Sequence, residues 1–193
     1  MVGCSPQQQD EHQVQGRARM SPDGWLADVE SKWLAEQAHD KSLVIEFGSW
    51  CGKSTIALAC AKRVVCVDTW LGTPGDIGGH EQRIADGFRP IAEWREFTKH
   101  LPNVIGIVGN LRDPEVEAIL VSTYARKADL IFIDAAHDVD NVTKDIWLAK
   151  RLLARNGILC GHDYHGNHPG VMQAVKTMLP YHTNPAGSIW KAS

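Results

Sequence analysis

The chain has 193 residues, 44% of them hydrophobic, which suits one domain with a sizeable buried core. A formal net charge of −3 disfavours binding through phosphate neutralisation, so no nucleic-acid partner is expected. The five cysteines form no CxxC pair, which is typical of reduced thiols and excludes a multi-cysteine zinc site. No apolar run approaches the roughly 20 residues of a membrane span, and no apolar signal core is present, so we expect a cytoplasmic protein without a membrane partner.

The predicted elements begin after a polar arm. Residues 1–20 carry many glutamines and few apolar residues, so we expect a flexible arm there and a single domain at 21–193. A first helix is predicted to begin at 21–23, where a serine precedes a proline. Its predicted apolar face consists of residues at helical spacing, namely Trp25, Leu26, Val29, Trp33 and Leu34.

Short apolar runs then alternate with amphipathic stretches. Strands are predicted at 43–47, 64–67, 104–108, 130–133 and 157–161, with a closing hairpin at 181–191 around a turn at 184–187. Helices are predicted at 54–61, 88–100, 114–126, 139–155 and 169–179. Continuously apolar strands are typical of parallel strands covered by helices on both faces, so the pattern predicts a doubly wound α/β sheet. The glycine-rich stretch at 69–82 is predicted to be an irregular acceptor-side lid.

Ligands of such sheets bind at the carboxyl ends of the strands, so the residues after each strand are candidates. Gly48 and Gly52 follow the first strand and allow a tight turn with close approach of a ligand to the backbone. The spacing from Gly48 to Gly52 is one residue shorter than in a phosphate-binding P-loop. Trp50 replaces the second glycine of the dinucleotide motif. A plain glycine-rich turn is the alternative.

Two further candidates follow the second and third strands. Asp68 can accept both hydroxyls of a ribose, and its alternative role is that of a solvated turn residue. Asn110 can contact an adenine edge, or simply complete a turn.

Acidic residues also follow the fourth and fifth strands. Asp134 and Asp163 are expected to be neighbours, and paired carboxylates suit a hard cation such as Mg²⁺. His162 is a better ligand for Mn²⁺, Fe²⁺ or Zn²⁺. A zinc site built from His162, His165 and His168 alone is disfavoured, because their spacing fits no tight zinc motif.

Four segments carry a family resemblance: VIEFGSWCGKST, VVCVDTW, LIFIDAAHDVDNVTKDI and GILCGHDYHGNHPGV. Together they resemble the class I S-adenosylmethionine-dependent methyltransferases over about residues 40–191. More closely, they are similar to the small bacterial and phage enzymes related to macrocin O-methyltransferase and cephalosporin hydroxylase. The resemblance implies a Rossmann-like, mostly parallel seven-stranded sheet with helices on both faces and an antiparallel last strand.

The resemblance also implies roles for single residues. S-adenosylmethionine would be bound by Glu46, Gly48, Ser49, Gly52, Asp68, Asn110 and Asp134. A divalent metal, Mg²⁺ or Mn²⁺, would be bound by Asp134, His162 and Asp163, with the histidine in place of the family's acidic residue. His137 would be the general base beside the catalytic Asp134, although it can also serve as an ordinary helix N-terminal residue.

These observations predict a methyltransferase that acts on a hydroxyl oxygen of a small, sugar-like acceptor with help from a metal. Two alternatives remain. A nicotinamide-dependent oxidoreductase would share the fold and the role of Asp68, and a non-catalytic nucleoside-binding module would share the pocket. The identity of the acceptor and the existence of a homo-oligomer stay open at this point.

Overall fold

The computed structural model describes residues 21–73 and 79–193. The helices are α1 (Asp28–Ala38), α2 (Lys53–Leu58), α3 (His80–Ala85), α4 (Pro90–Thr98), α5 (Pro114–Tyr124), α6 (Val139–Leu152) and α7 (Pro169–Met178). The strands are β1 (Val44–Phe47), β2 (Val64–Asp68), β3 (Val104–Val108), β4 (Ala128–Ile133), β5 (Leu153–Gly161), β6 (His182–Ala186) and β7 (Ile189–Ala192). The predicted arm at 1–20 and part of the predicted lid lie outside the described residues.

All seven strands form one sheet in the order β3-β2-β1-β4-β5-β7-β6. Strands β1 to β5 pair in parallel, and β7 runs antiparallel to both β5 and β6. Strands β2 and β3 are added on one side of β1, and the strands from β4 onwards are added on its other side. The carboxyl ends of β1 and β4 therefore border a crevice. The predicted Rossmann-like sheet with an antiparallel last strand is confirmed.

Alternate residues of each buried strand face two different cores. Ile45 and Phe47 contribute to a core with side chains of α5, α6 and α7. Val44 and Phe132 contribute to a core on the other side, with side chains of α1, α2 and α4. Every residue of β1 is therefore buried, which explains why all of its residues except Glu46 are apolar.

Helix α1 begins later than predicted. It starts at Asp28 because the Ala27 N–H donates a 2.7 Å hydrogen bond to the Glu30 carboxylate, which fixes the first turn. The carboxylate of Asp23, near the predicted start, instead pairs with Arg83 at 2.6 Å. The predicted apolar face is partly wrong, because the side chains at 25 and 29 are 56% and 60% exposed.

The boundary between α6 and β5 also differs from the prediction. The helix predicted to reach residue 155 ends at Leu152, because Leu153 already pairs with Ala128 in the sheet. The predicted lid at 69–82 is partly helical, since α3 begins at His80. No helix among the described residues combines the length and the apolar character that crossing a bilayer would require.

The predicted closing hairpin is confirmed, but its turn lies nearer the C-terminus. The strands meet through the pair Ala186–Ile189, so Gly187 and Ser188 form the turn. Gly187 has a φ of 50°, and a Cβ there would overlap the carboxylate of Glu30. The turn thus lies directly against α1.

Candidate active site

A cleft of about 940 Å³ lies at the carboxyl ends of the central strands. Most residues predicted to be functional line it: Gly48, Ser49, Asp68, Asn110, Asp134, His137, His162 and Asp163. Glu46 and Gly52 do not line this cleft. The topology therefore brings together side chains from five separate strand ends, as a ligand site in such a sheet requires.

Glu46 lies fully buried beneath the first turn. Its carboxylate accepts hydroxyl hydrogen bonds from Ser49 at 2.6 Å, Ser54 at 2.5 Å and Thr55 at 2.6 Å. Burial raises the pKa of Glu46, although these hydroxyl donors oppose the rise. In this arrangement Glu46 organises the turn and the start of α2 from below.

Gly48 is required by backbone packing. Its φ is 83°, and a Cβ would overlap the carbonyl oxygen of Asp134. The end of β1 thus lies directly on the backbone that leaves β4, and this contact fixes Asp134 relative to the turn. Gly52 stands at the N-terminus of α2 with a φ of 96°, where a Cβ would come within 3.1 Å of Trp94.

Asp68 holds the turn after β1 against the loop after β2. Its Oδ2 accepts backbone hydrogen bonds from Ser49 at 2.6 Å and Trp50 at 2.8 Å, and its Oδ1 accepts one from Trp70 at 2.6 Å. Each carboxylate oxygen has two lone pairs, so Oδ2 is saturated and Oδ1 retains one lone pair for a ligand hydroxyl at the cleft wall. Asn110 lies exposed at the rim, where its Oδ1 accepts the Arg112 N–H at 2.8 Å.

His162 is the most enclosed polar ring of the cleft. Its Nε2 lies 3.1 Å from Oε2 of Glu30 and 2.9 Å from Oγ of Ser188. Its Nδ1 lies 3.2 Å from Oδ1 of Asp163 and 3.7 Å from Oδ1 of Asp134. One ring nitrogen is thus held by α1 and the hairpin, and the other faces the two predicted metal-binding carboxylates.

The groups around His162 include more acids than bases. Burial disfavours the charged His162 ring, but the carboxylates of Asp134, Asp163 and Glu30 outweigh burial and raise its pKa to about 11. Burial also raises the pKa of Asp134, and the negative charge of Asp163 adds to the rise. The pKa of Asp163 is lowered, because hydrogen bonds from His137 and His162 outweigh its burial. A cation placed here would relieve carboxylate repulsion.

His137 is oriented by Asp163. Its Nε2 lies 2.9 Å from Oδ2 of Asp163, and its side chain is 20% exposed to the cleft. The neighbouring Asp138 supplies the helix cap, because its side chain accepts the Asn141 N–H at 3.0 Å. Asp163 itself has a φ of 62°, a conformation that non-glycine residues adopt at a cost and that clusters at functional sites.

Two sets of three side chains among the described residues have potential ligand atoms within 4.8 Å of one another. The first, Asp134, His162 and Asp163, is the predicted metal triad. The second consists of His137, Asp163 and His168. The first set fits a metal well, because a carboxylate that accepts from the far nitrogen of a ligating imidazole is the usual supporting contact, and Glu30 supplies it.

Sequence reasoning missed Glu30 and Ser188. The Glu30 carboxylate accepts both the backbone N–H of Ser188 at 2.7 Å and its hydroxyl at 2.9 Å. One signal was present in the sequence. Glu30 lies one helical turn before Leu34 and two turns before Ala38, so it places an acid on the buried stripe of the helix. A buried acid in such a stripe needs a partner.

We expect Glu30→Gln to destabilise the protein by up to about 3 kcal/mol at pH 7. Burial raises the pKa of Glu30, but hydrogen bonds from His162 and from two backbone amides lower it to about 2. A lowered folded-state pKa contributes stability above the ordinary value of 4.5, and this contribution is lost as the pH falls towards 2. Urea denaturation of the two proteins should therefore show a larger difference at pH 7 than at pH 3.

Glu36→Gln on the same helix is the matched control, with little change expected at either pH. A difference between wild type and Glu30→Gln that stays constant from pH 7 to pH 3 would contradict the prediction.

Comparison with known proteins identifies the family and the fold. A family described as a methyltransferase domain matches residues 45–164. No curated protein matches the chain. Three solved structures share its fold. The apo structure of CalS11, a TDP-rhamnose 3'-O-methyltransferase of calicheamicin biosynthesis, is 16% identical over 86% of this chain and 81% of its own, with a TM-score of 0.57.

The other two structures contain cofactor. An O-methyltransferase from Bacillus cereus in complex with SAH is 18% identical, with a TM-score of 0.56 over 86% of this chain and 80% of its own. TomG, an O-methyltransferase from Streptomyces achromogenes in complex with SAM, is 16% identical, with a TM-score of 0.60 over the same shares. The predicted membership of the class I methyltransferases is confirmed, and the relation to macrocin O-methyltransferase stays a prediction. The chain belongs to the methyltransferase-domain family.

Proposed function

We propose that the chain transfers the methyl group of S-adenosylmethionine to a hydroxyl oxygen of a small acceptor. The observation that carries this proposal is the placement of Asp68 beside the turn after β1, on the wall of a cleft of about 940 Å³. A nucleoside can lie across that turn with a ribose hydroxyl on the acid. The complexes of similar folds with SAM and SAH support the choice of cofactor.

Each end of the cofactor has a candidate partner in the cleft. The adenine lies near Asn110, and a ribose hydroxyl donates to Oδ1 of Asp68. The amino-acid end lies over Gly48 and Ser49, with Asp134 beside it. Glu46 and Gly52 act on the cofactor by shaping this turn, because they lie behind it.

Asp134, His162 and Asp163 are the proposed ligands of a divalent metal. A metal ion bound there would supply Lewis acidity that lowers the pKa of an acceptor hydroxyl. Because one of the three ligands is an imidazole, the set favours Mn²⁺ over Mg²⁺. Glu30 accepts the Nε2 proton of His162 and leaves Nδ1 directed at the two carboxylates.

His137 is the proposed general base. The acceptor hydroxyl lies beside Asp163 and gives its proton to the neutral imidazole of His137, while its oxygen forms a bond to the methyl carbon. The bond between that carbon and sulfur breaks, and its electron pair stays on sulfur, which yields S-adenosylhomocysteine and a methyl ether. Asp163 stabilises the imidazolium that results. The cleft supplies orientation, which contributes several of the roughly 7–11 kcal/mol available from such effects.

A small hydroxylated acceptor, and a sugar-like one first, is the proposed substrate. The methyl acceptor of CalS11 is a TDP-rhamnose, so one protein of this fold accepts a sugar nucleotide. The family assignment favours methyl transfer over the nicotinamide-dependent alternative. The non-catalytic alternative predicts cofactor binding without methyl transfer to any hydroxylated compound in an acceptor panel, an outcome that would overturn the proposal.

We expect Asp68→Ala to weaken binding of S-adenosylhomocysteine by about 10- to 150-fold, because a hydrogen bond to a charged group is worth about 1.5–3 kcal/mol. Isothermal titration calorimetry of the purified protein measures the change. Asp140→Ala, an exposed acid outside the cleft lining, is the matched control and should bind as wild type does. Equal affinity of Asp68→Ala and wild type, or binding of NADH in place of S-adenosylhomocysteine, would refute the cofactor assignment.

A further inference from the structure

Asp163 is surrounded by histidine rings on the side away from His162. Its Oδ2 faces Nε2 of His137 at 2.9 Å. Its Oδ1 lies 3.5 Å from Nε2 of His165 and 3.7 Å from Nε2 of His168. Sequence spacing did not predict this cluster, because His137 comes from the end of a different strand.

Backbone packing holds these rings together. Gly170, in the first turn of α7, lies so close to the loop after β4 that a Cβ would overlap the carbonyl oxygen of His137. This approach places the ring centroids of His137 and His168 4.2 Å apart. The loop before α7 is closed by a 2.8 Å hydrogen bond from the His165 N–H to the Asp163 carbonyl. The rings are therefore positioned by the fold.

The spacing of these atoms suits a tetrahedral transition-metal ion. With Zn–N bonds of about 2.0–2.1 Å, adjacent donors of such a site lie about 3.3 Å apart. The distances from the Asp163 oxygens, 2.9 Å to His137 and 3.7 Å to His168, lie on either side of that value. The side chain of His168 is 12% exposed and that of His165 is 39% exposed, so an ion can reach the site from the cleft.

We propose that His137, Asp163 and His168 form a second cation site that takes zinc-class ions, with His165 as a further donor. Two imidazoles and one carboxylate make this set softer than the predicted triad of two carboxylates and one imidazole, so it discriminates against Mg²⁺. An ion bound to Nε2 of His137 lowers the basicity of that ring. Zinc is therefore expected to inhibit methyl transfer by disabling the general base. This inhibition rests on the proposed function, but the binding of the ion is independent of it.

Binding is tested with Co²⁺, whose visible absorption reports tetrahedral coordination. Metal-free wild type and Asp134→Asn should both develop the band, since Asp134 belongs only to the other triad. His168→Gln should lose it, and the exposed control His39→Gln should keep it. His168→Cys should restore the band and add a thiolate-to-cobalt charge-transfer band in the near ultraviolet. An unchanged band in His168→Gln, or its loss in Asp134→Asn, would overturn the assignment.

Inhibition is tested separately, by adding Zn²⁺ to enzyme supported by Mn²⁺. The ratio of the rates with and without zinc should fall at least tenfold in wild type and in His39→Gln, and stay near one in His168→Gln. Equal inhibition of all three proteins would refute the inhibitory role. If no methyl transfer occurs in any protein, the proposed function fails while the cobalt spectra still decide the site.

Discussion

Gly48→Ala is expected to destabilise the protein by roughly 4 kcal/mol and to abolish most of its activity. The substitution forces a non-glycine residue to a φ of 83°, which costs about 1–3 kcal/mol. It also drives a methyl group into the carbonyl oxygen of Asp134, and such overlap costs typically about 1–3 kcal/mol. The backbone can relieve the overlap only by moving Asp134 away from the turn. Protein that still folds should therefore lose activity.

Gly79→Ala separates the two contributions. Gly79 has a φ of 69°, but a methyl group added there would meet no atom within 4 Å, so alanine should cost only the conformational penalty of about 1–2 kcal/mol. Thermal and urea unfolding of both variants measure the difference. If Gly48→Ala unfolds at the same denaturant concentration as Gly79→Ala, the packing of the turn against β4 is not the constraint that we infer.

Asp163→Asn is expected to lower kcat by about 10³-fold or more. The carboxylate orients His137, the proposed general base, and such a base typically contributes about 10²–10⁴ in rate. Asp163 belongs to the proposed metal triad as well. The amide has the same shape but no charge. Affinity for S-adenosylhomocysteine should change little, because Asp68 lies at the end of another strand. Methyl-transfer assays and calorimetry measure the two quantities separately.

Asp138→Asn is the matched control, since asparagine also caps helices well and the Asp138 side chain bonds to the first turn of α6. Its kcat should stay within a few-fold of wild type. Activity of Asp163→Asn that equals wild type, together with activity that survives EDTA, would remove both the metal and the orienting role of Asp163.

The sequence predicted the parts of the site that follow from topology. Parallel strands end at the same edge of a sheet, so Asp68, Asp134 and Asp163 could be placed together from the strand pattern alone. The contact between Glu30 and Ser188 joins residues 158 positions apart, and the one between Glu30 and His162 spans 132. No local pattern encodes such contacts, although the buried acid in the stripe of α1 signalled that a partner was needed.

The errors in element boundaries have a tertiary origin. Ser21 followed by proline is a good local start for a helix, but Asp23 forms an ion pair with Arg83 instead of starting the helix. The end of α6 is amphipathic enough to continue, yet pairing with β4 draws Leu153 into the sheet. In both places long-range contacts override the local preference that a sequence shows.

The contacts of the Glu30 carboxylate limit where this chain can accept insertions. By accepting from Ser188 and His162 together, it links the tip of a surface hairpin to the candidate active site. Hairpin tips are ordinarily where evolution and protein engineers add or delete residues freely. Here, lengthening the turn after Gly187 would pull Ser188 away from Glu30 and from the His162 imidazole, so epitope tags and inserted domains do not belong in that turn.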